Sequence, residues 1–182
     1  MDLYTIGHSN LPLDRFIQLL QTYSIQLLVD VRSTPYSRFN PQFNQTALQN
    51  SLSEQTIEYF YLGNDLGGRP KDPDVYHHHA IPKAGKDYFK EIDYAAVMQR
   101  PWFTQGIQQL LELANRKRTA ILCSEEDPAR CHRHHLIARY ILDTLPEVNV
   151  MHIRKDGSLQ EARSLISPAD APGADQLSFL KP

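Results

Sequence analysis

Apolar positions along the chain fall into two kinds of run, and the two kinds alternate. Leu3–Ile6 is a short apolar-mixed run that stops at Gly7-His8-Ser9-Asn10, a strand followed by a turn. Leu13, Phe16, Ile17, Leu20 and Tyr23 then recur at three- and four-residue steps behind Pro12, which predicts a helix. Gln26–Arg32 (QLLVDVR) is the next strand. Its continuous apolar centre, Leu27-Leu28-Val29, suits a parallel strand covered on both faces. Ser33–Asn44, with Pro35 and Pro41, reads as an irregular loop, and Gln45–Leu52 as a helix. Ile57–Leu62 (IEYFYL) is rich in aromatic and β-branched residues and reads as a third strand, with turn chemistry over Asp65–Pro70.

Lys71–Lys83 carries two prolines and the run His77-His78-His79, and reads as an exposed loop. Lys86–Met98 is read as a helix that Pro101 interrupts. Phe103–Lys117 follows as a clearer one, with Phe103, Ile107, Leu110, Leu111 and Ala114 on one face. Thr119–Ser124 (TAILCS) is a fourth strand. Asp127-Pro128 gives an N-cap and a first-turn proline, so a helix is expected from there to about Asp143. Val148–Ile153 is a last strand. From Ser164 the chain is polar, with Pro168, Pro172 and Pro182, and a loose tail over 164–182 is expected beyond a domain over 1–163. The alternation predicts an α/β fold, a single three-layer Rossmann-like domain with a mainly parallel sheet of about five strands.

Composition narrows the function classes. The chain has 182 residues, 19 basic against 21 acidic, for a net charge of −2. That balance argues against a globally basic nucleic-acid binder. No apolar run approaches the ~18–20 residues of a membrane span, and the N-terminus lacks the pattern of a signal peptide. Two cysteines make neither a disulfide scaffold nor a four-cysteine zinc site. A cytoplasmic setting with both thiols reduced is the expectation.

Ligands of open α/β sheets bind beyond the carboxyl ends of the strands. If the sheet is parallel, five segments meet there: Gly7-His8-Ser9, the run from Arg32 and Ser33 to Ser37, Gly67-Gly68-Arg69, Cys123-Ser124-Glu125, and Cys131-His132-Arg133. Cys123 reads either as a nucleophile or as a small wall residue, because Glu125, Glu126 and Asp127 crowd its loop and oppose a thiolate. Cys131 is expected in the first turns of the following helix, packed on the face of His135, Ala138 and Leu142. Glu125 reads as a proton-moving carboxylate or as an ion-pair partner of Arg32 or Arg133, and Asp30 as a structural carboxylate that fixes Arg32. Arg32, Ser33, Ser37 and Arg38 supply cationic and hydroxyl donors, interleaved with Tyr36, Phe39 and Phe43. The usual short-range pair of zinc-binding cysteines is missing, so no metal site is expected, and the triple histidine is read as facing water.

Four segments, TIGHS (5–9), VDVRSTPYS (29–37), YLGNDLGG (61–68) and ILCSEEDPARCHR (121–133), resemble in order the motifs of the family called domain of unknown function 488. The resemblance runs roughly from residue 3 to residue 155. It implies a small α/β domain whose motif residues share a pocket and, through labels some relatives carry, a link with DNA repair. By matching position it implies functional roles for His8, Ser9, Asp30, Arg32, Ser37, Gly67, Gly68, Cys123, Glu125, Cys131, His132 and Arg133.

The expected function is an enzyme acting on a small anionic, phosphorylated or nucleotide-like substrate at the carboxyl edge of the sheet. Cys123, Glu125, His8 and His132 would carry the chemistry. Ser9, Arg32, Ser37, Gly67, Gly68, Cys131 and Arg133 would bind. No cofactor is named by the sequence. The alternatives are a non-catalytic nucleotide or nucleic-acid binding module and a rhodanese- or phosphatase-like thiol chemistry. The second is poorly served by a loop of six residues between Cys123 and Arg130 that holds three acids and a proline.

Overall fold

The computed structural model describes residues 1–83 and 88–166. Six strands form one sheet: β1 (Asp2–Gly7), β2 (Leu27–Asp30), β3 (Glu58–Tyr61), β4 (Thr119–Cys123), β5 (Asn149–Ile153) and β6 (Leu159–Glu161), in the order β3-β2-β4-β1-β5-β6. All neighbours are parallel except β5 and β6. The sixth strand was not expected. It is three residues long, two of them polar, and its antiparallel return is made by Gly157 at φ 94°, a conformation glycine adopts without strain.

Alternation along each strand explains how near-continuous apolar runs serve two cores. Tyr4, Ile6, Leu28, Ala120 and Leu122 face one side, against Phe16, Leu19 and Leu20 of α1 (Leu13–Thr22) and Leu48 and Leu52 of α2 (Gln45–Ser53). Leu3, Leu27, Val29, Ile121 and Val150 face the other. There they meet Phe103, Ile107 and Leu110 of a long helix over Pro101–Arg116, and Leu136, Ile137 and Ile141 further on. The result is the expected three-layer α/β domain. Among the described residues no helix is long and apolar enough to cross a membrane.

Several local expectations are corrected. Part of the DLGGRP turn region is a short helix, α3 (Gly63–Leu66). The helix expected over 86–98, whose first two residues lie outside the described ones, is from 88 on two helices, α4 (Tyr88–Glu91) and α5 (Tyr94–Met98), because Asp93 takes an extended conformation and caps α5 through Oδ1, which accepts the Ala96 N–H at 3.0 Å. Pro101 does not interrupt; it opens α6 (Pro101–Arg116), where its missing N–H is harmless. The stretch over 71–83 is not wholly exposed, since Val75 and Tyr76 are buried in the core. Asp127 and Pro128 start only a 3₁₀ turn (Pro128–Arg130). Cys131 is then extended, and a π-helical stretch (Arg133–Ala138) leads into α7 (Arg139–Thr144). Cys131 therefore precedes the helix instead of lying in its first turns. The loose tail expected from residue 164 lies, from 167 on, outside the described residues.

Candidate functional site

The chain leaves β1 and β2 toward the face covered by α1 and α2, but leaves β4 toward the opposite face. Connections that part in this way open a crevice at the carboxyl ends of the strands. A cleft of about 680 Å³ lies there. Its floor is Arg32, Gly68, Cys123, Cys131 and His132, and its walls include Ser33, Thr34, Ser124 and Glu125. Arg69, Lys90 and Arg130 add cations around it, and Tyr36, Tyr88 and Tyr94 add rings. The Arg69 guanidinium sits 4.8 Å from the centre of the Tyr88 ring.

Arg32 is held from two sides. Asp30, at the end of β2, accepts its Nε–H at 2.9 Å and its Nη2–H at 2.5 Å. From the other side its Nη1–H donates to His8 Nε2 at 3.3 Å. That geometry requires an unprotonated Nε2, and His8 supplies it by donating its Nδ1–H to the Ser9 carbonyl at 2.8 Å. Burial, more than the neighbouring Arg32 charge, holds the His8 pKa down at about 4, so the ring is neutral near pH 7. Stacked on Phe43 at 4.4 Å, it sits behind Arg32 and does not line the cleft. The same surroundings act on Arg32 itself. Burial works against its charge, but the Asp30 hydrogen bond and charge outweigh burial and raise its pKa. Tyr59 donates its hydroxyl to Asp30 at 2.7 Å and completes the set. Three of the five guanidinium N–H bonds are thus committed to protein, and Arg32 lines the cleft from this fixed position.

The cleft floor holds the two thiols and one imidazole. His132 donates its Nε2–H to the Val31 carbonyl at 3.2 Å, which leaves the Nδ1 lone pair directed at the sulfurs. Cys123 Sγ lies 3.6 Å and Cys131 Sγ 3.9 Å from that Nδ1. Gly68 packs flat against the ring: a Cβ at this position would come within 2.7 Å of Nδ1. Both thiols are buried, and their sulfurs lie within 4.8 Å of each other across the floor. The neighbouring Cys131 thiol, and then burial, pushes the Cys123 thiol up. Burial opposes ionisation of Cys131 as well, but its neighbours Cys123, His132 and Arg133 pull its pKa down.

Arg133 takes a different place. Fully buried, it donates to the carbonyls of Glu125 and Glu126 and, from Nε, to Thr5 Oγ1 at 3.2 Å. It fastens the Cys123–Arg130 loop from below and does not reach the cleft lining. Ser9 and Ser37 also lie away from it. The Ser9 N–H donates to the Ser124 carbonyl at 2.8 Å, and Ser37 Oγ accepts the Asn40 N–H at 3.0 Å within its own loop. Gly67 packs against Ser33 behind the wall. Of the expected residues, then, Arg32, Gly68, Cys123, Glu125, Cys131 and His132 meet around one hollow. His8 and Gly67 stand behind it, and Ser9, Ser37 and Arg133 serve the loops.

Lys90, Tyr88 and Tyr94 were not anticipated. They come from a segment that the Tyr76–Ile92 bridge folds back beside the cleft, a tertiary contact without a local motif. Arg69 and Arg130 adjoin the motifs and were legible as neighbours of the site. The loop between Cys123 and Arg130 is a poor anion cradle, as its composition suggested. Its N–H groups at Ala129 and Arg130 are spent on Asp127, and that of Cys131 on Pro128.

Fold and cleft together define a three-layer α/β domain with a cation-rich pocket over a thiol–imidazole floor, at the carboxyl edge of its sheet. The chain belongs to the family described as domain of unknown function DUF488, whose model matches residues 12–141. No curated protein matches the chain, and neither does any solved structure.

Proposed function

We propose that the domain is an enzyme acting on a small anionic substrate, phosphorylated or nucleotide-like, bound in this cleft. One observation carries the reading: among the described residues, four cations, Arg32, Arg69, Lys90 and Arg130, and three tyrosines, Tyr36, Tyr88 and Tyr94, surround one hollow whose lining holds a single carboxylate, Glu125. The chain as a whole is slightly acidic, so this concentration of positive charge is local. Planar guanidinium groups suit phosphate or carboxylate oxygens, and the tyrosine rings suit a flat heterocycle. In this reading Arg32, pre-set by Asp30 and His8, grips the anion. Glu125, exposed at the wall, moves a proton, and Cys123, Cys131 and His132 form the reactive floor. In this reading the two free thiols suit a reducing, cytoplasmic setting.

A panel of nucleotides, sugar phosphates and carboxylates, incubated with the protein and followed by mass spectrometry, tests this. Turnover confined to anionic members, and lost in both R32A and E125Q, is the expected result. Turnover of uncharged analogues at the same rate would refute it. The second reading, a nucleic-acid module, rests on Tyr36, which lines the cleft, and Phe39, which are 66% and 88% exposed on either side of Arg38 in the chain. Stacking of bases on such rings needs no catalysis. Tight binding of single-stranded oligonucleotides, weakened in F39A, with no turnover of the panel would favour it.

A further inference from the structure

We propose that Cys123, Cys131 and His132 form a metal site that takes a thiophilic divalent cation, zinc foremost, with its fourth position open to the cleft. The proposal departs from the sequence expectation of no metal, which looked for two cysteines a few residues apart. Here the ligands come from the end of β4 and from the extended residue just before the π-helical stretch. The 3₁₀ turn between them, capped by Asp127, folds residue 131 back onto residue 123.

Three features of the cluster carry the inference. The first is distance. Tetrahedral zinc, with bonds of about 2.3 Å to sulfur and about 2.0–2.1 Å to nitrogen, separates a sulfur and a nitrogen ligand by about 3.6 Å and two sulfurs by about 3.8 Å. The two sulfur–Nδ1 separations are 3.6 and 3.9 Å, and all three ligand atoms lie within 4.8 Å of one another. The two sulfur–nitrogen separations are thus within about 0.3 Å of those of a closed site, and the sulfurs need draw together by at most about 1 Å.

The second is the tautomer. Metal-bound histidines commonly donate their other ring N–H to a carbonyl or carboxylate, which fixes the ring and frees the ligating nitrogen. The Val31 carbonyl does this for His132, and Gly68 lies against the opposite side of the ring. The third is access. All three ligands line the cleft, so a fourth ligand, water or a substrate oxygen, has a route in. Two cysteines, one histidine and an open position is a donor set that zinc uses catalytically, and soft sulfur donors disfavour magnesium, calcium and manganese.

The site stands independently of the anion-binding reading, because it can be measured without any substrate. Cobalt(II) is the probe, added to fully reduced protein in which His77, His78 and His79 are changed to alanine so that exposed imidazoles do not compete. One equivalent per chain should give thiolate-to-cobalt charge-transfer absorption in the near ultraviolet and intense tetrahedral bands in the visible, both bleached by zinc. C131S should lose about half of the charge-transfer intensity, and C123S/C131S all of it. Zinc should also block alkylation of both thiols by iodoacetamide in the otherwise unaltered chain, a readout that does not depend on how the variants fold. Absence of the bands in the parent chain, their persistence in the double variant, or alkylation unchanged by zinc would each overturn the proposal.

Discussion

Asp30 and Arg32 stand two residues apart at the end of β2, and their side chains meet side-on in a space from which both are almost wholly excluded from water, at 0% and 3% exposure. Neither group tolerates loss of the other. R32A would leave a buried carboxylate with only the Tyr59 hydroxyl and the Arg32 backbone N–H as donors. Breaking a buried pair from one side typically costs about 3–5 kcal/mol. Urea unfolding of R32A should show a loss of that size. R32K should lose less stability, yet bind anions poorly, since an ammonium cannot reproduce the two-sided fork.

Arg69 and Arg130 predict the opposite pattern. Both side chains are at the exposed rim of the cleft. R69A and R130A should unfold within about 0.5 kcal/mol of the parent, as surface substitutions do. Each should nevertheless weaken anion binding severalfold in calorimetry. A large stability loss with unchanged binding would reverse the roles assigned to the rim and to Arg32.

Acid should destabilise the fold above the range where carboxylates titrate. Burial is the main cause that keeps His8 and His134 at about 4 and His152 at about 2, against an ordinary value of 6.5. His152 is enclosed by polar partners, accepting from Thr5 at 2.7 Å and donating to His134 at 3.1 Å. These folded-state values are depressed, so the unfolded chain takes up protons below pH 6.5 while the folded one does not. Stability is thus full above pH 6.5 and falls as pH drops toward 4. At pH 5 each such histidine removes about 2 kcal/mol, and three together rival the total stability of many domains. Urea midpoints measured from pH 8 to pH 5 should fall steeply below 6.5. A flat profile over that interval would show that these histidines are not held neutral.

Gly68 is the contact on which the placement of His132 depends. An added methyl group would lie 2.7 Å from Nδ1 and 2.8 Å from Cγ of the ring, so the ring or the 67–69 backbone must move. Overpacking of this kind costs about 1–3 kcal/mol. G68A should show that loss and should also change the rate at which iodoacetamide alkylates Cys123. Unchanged stability and thiol reactivity would mean that the ring is not pinned there.

Much of this arrangement was legible in the chain. The continuous apolar run of β2 announced a parallel strand covered on both faces, and a parallel sheet puts Arg32 and Cys123 on one edge. What escaped the sequence depended on contacts between distant segments. Arg133 was read as an anion ligand because arginine beside cysteine and histidine invites it. Its burial beneath the Glu125 and Glu126 carbonyls follows from the π-helical stretch, which no periodicity signals. Cys131 was placed in a helix by the Asp127-Pro128 start, but the turn ends after three residues, and that early end brings the second thiol to the first. Lys90, Tyr88 and Tyr94 entered the site through a loop closed by a single bridge.

The central claim is that the cleft selects negative charge. Isothermal titration of a nucleoside diphosphate, the matching uncharged nucleoside and inorganic pyrophosphate into the parent chain and R69A/R130A tests it most directly. The account predicts saturable binding of the two anions, at least tenfold weaker in the double variant and weaker in 200 mM than in 50 mM salt, with little binding of the nucleoside. Equal affinity for nucleoside and nucleotide, or anion binding indifferent to loss of both arginines, would contradict it.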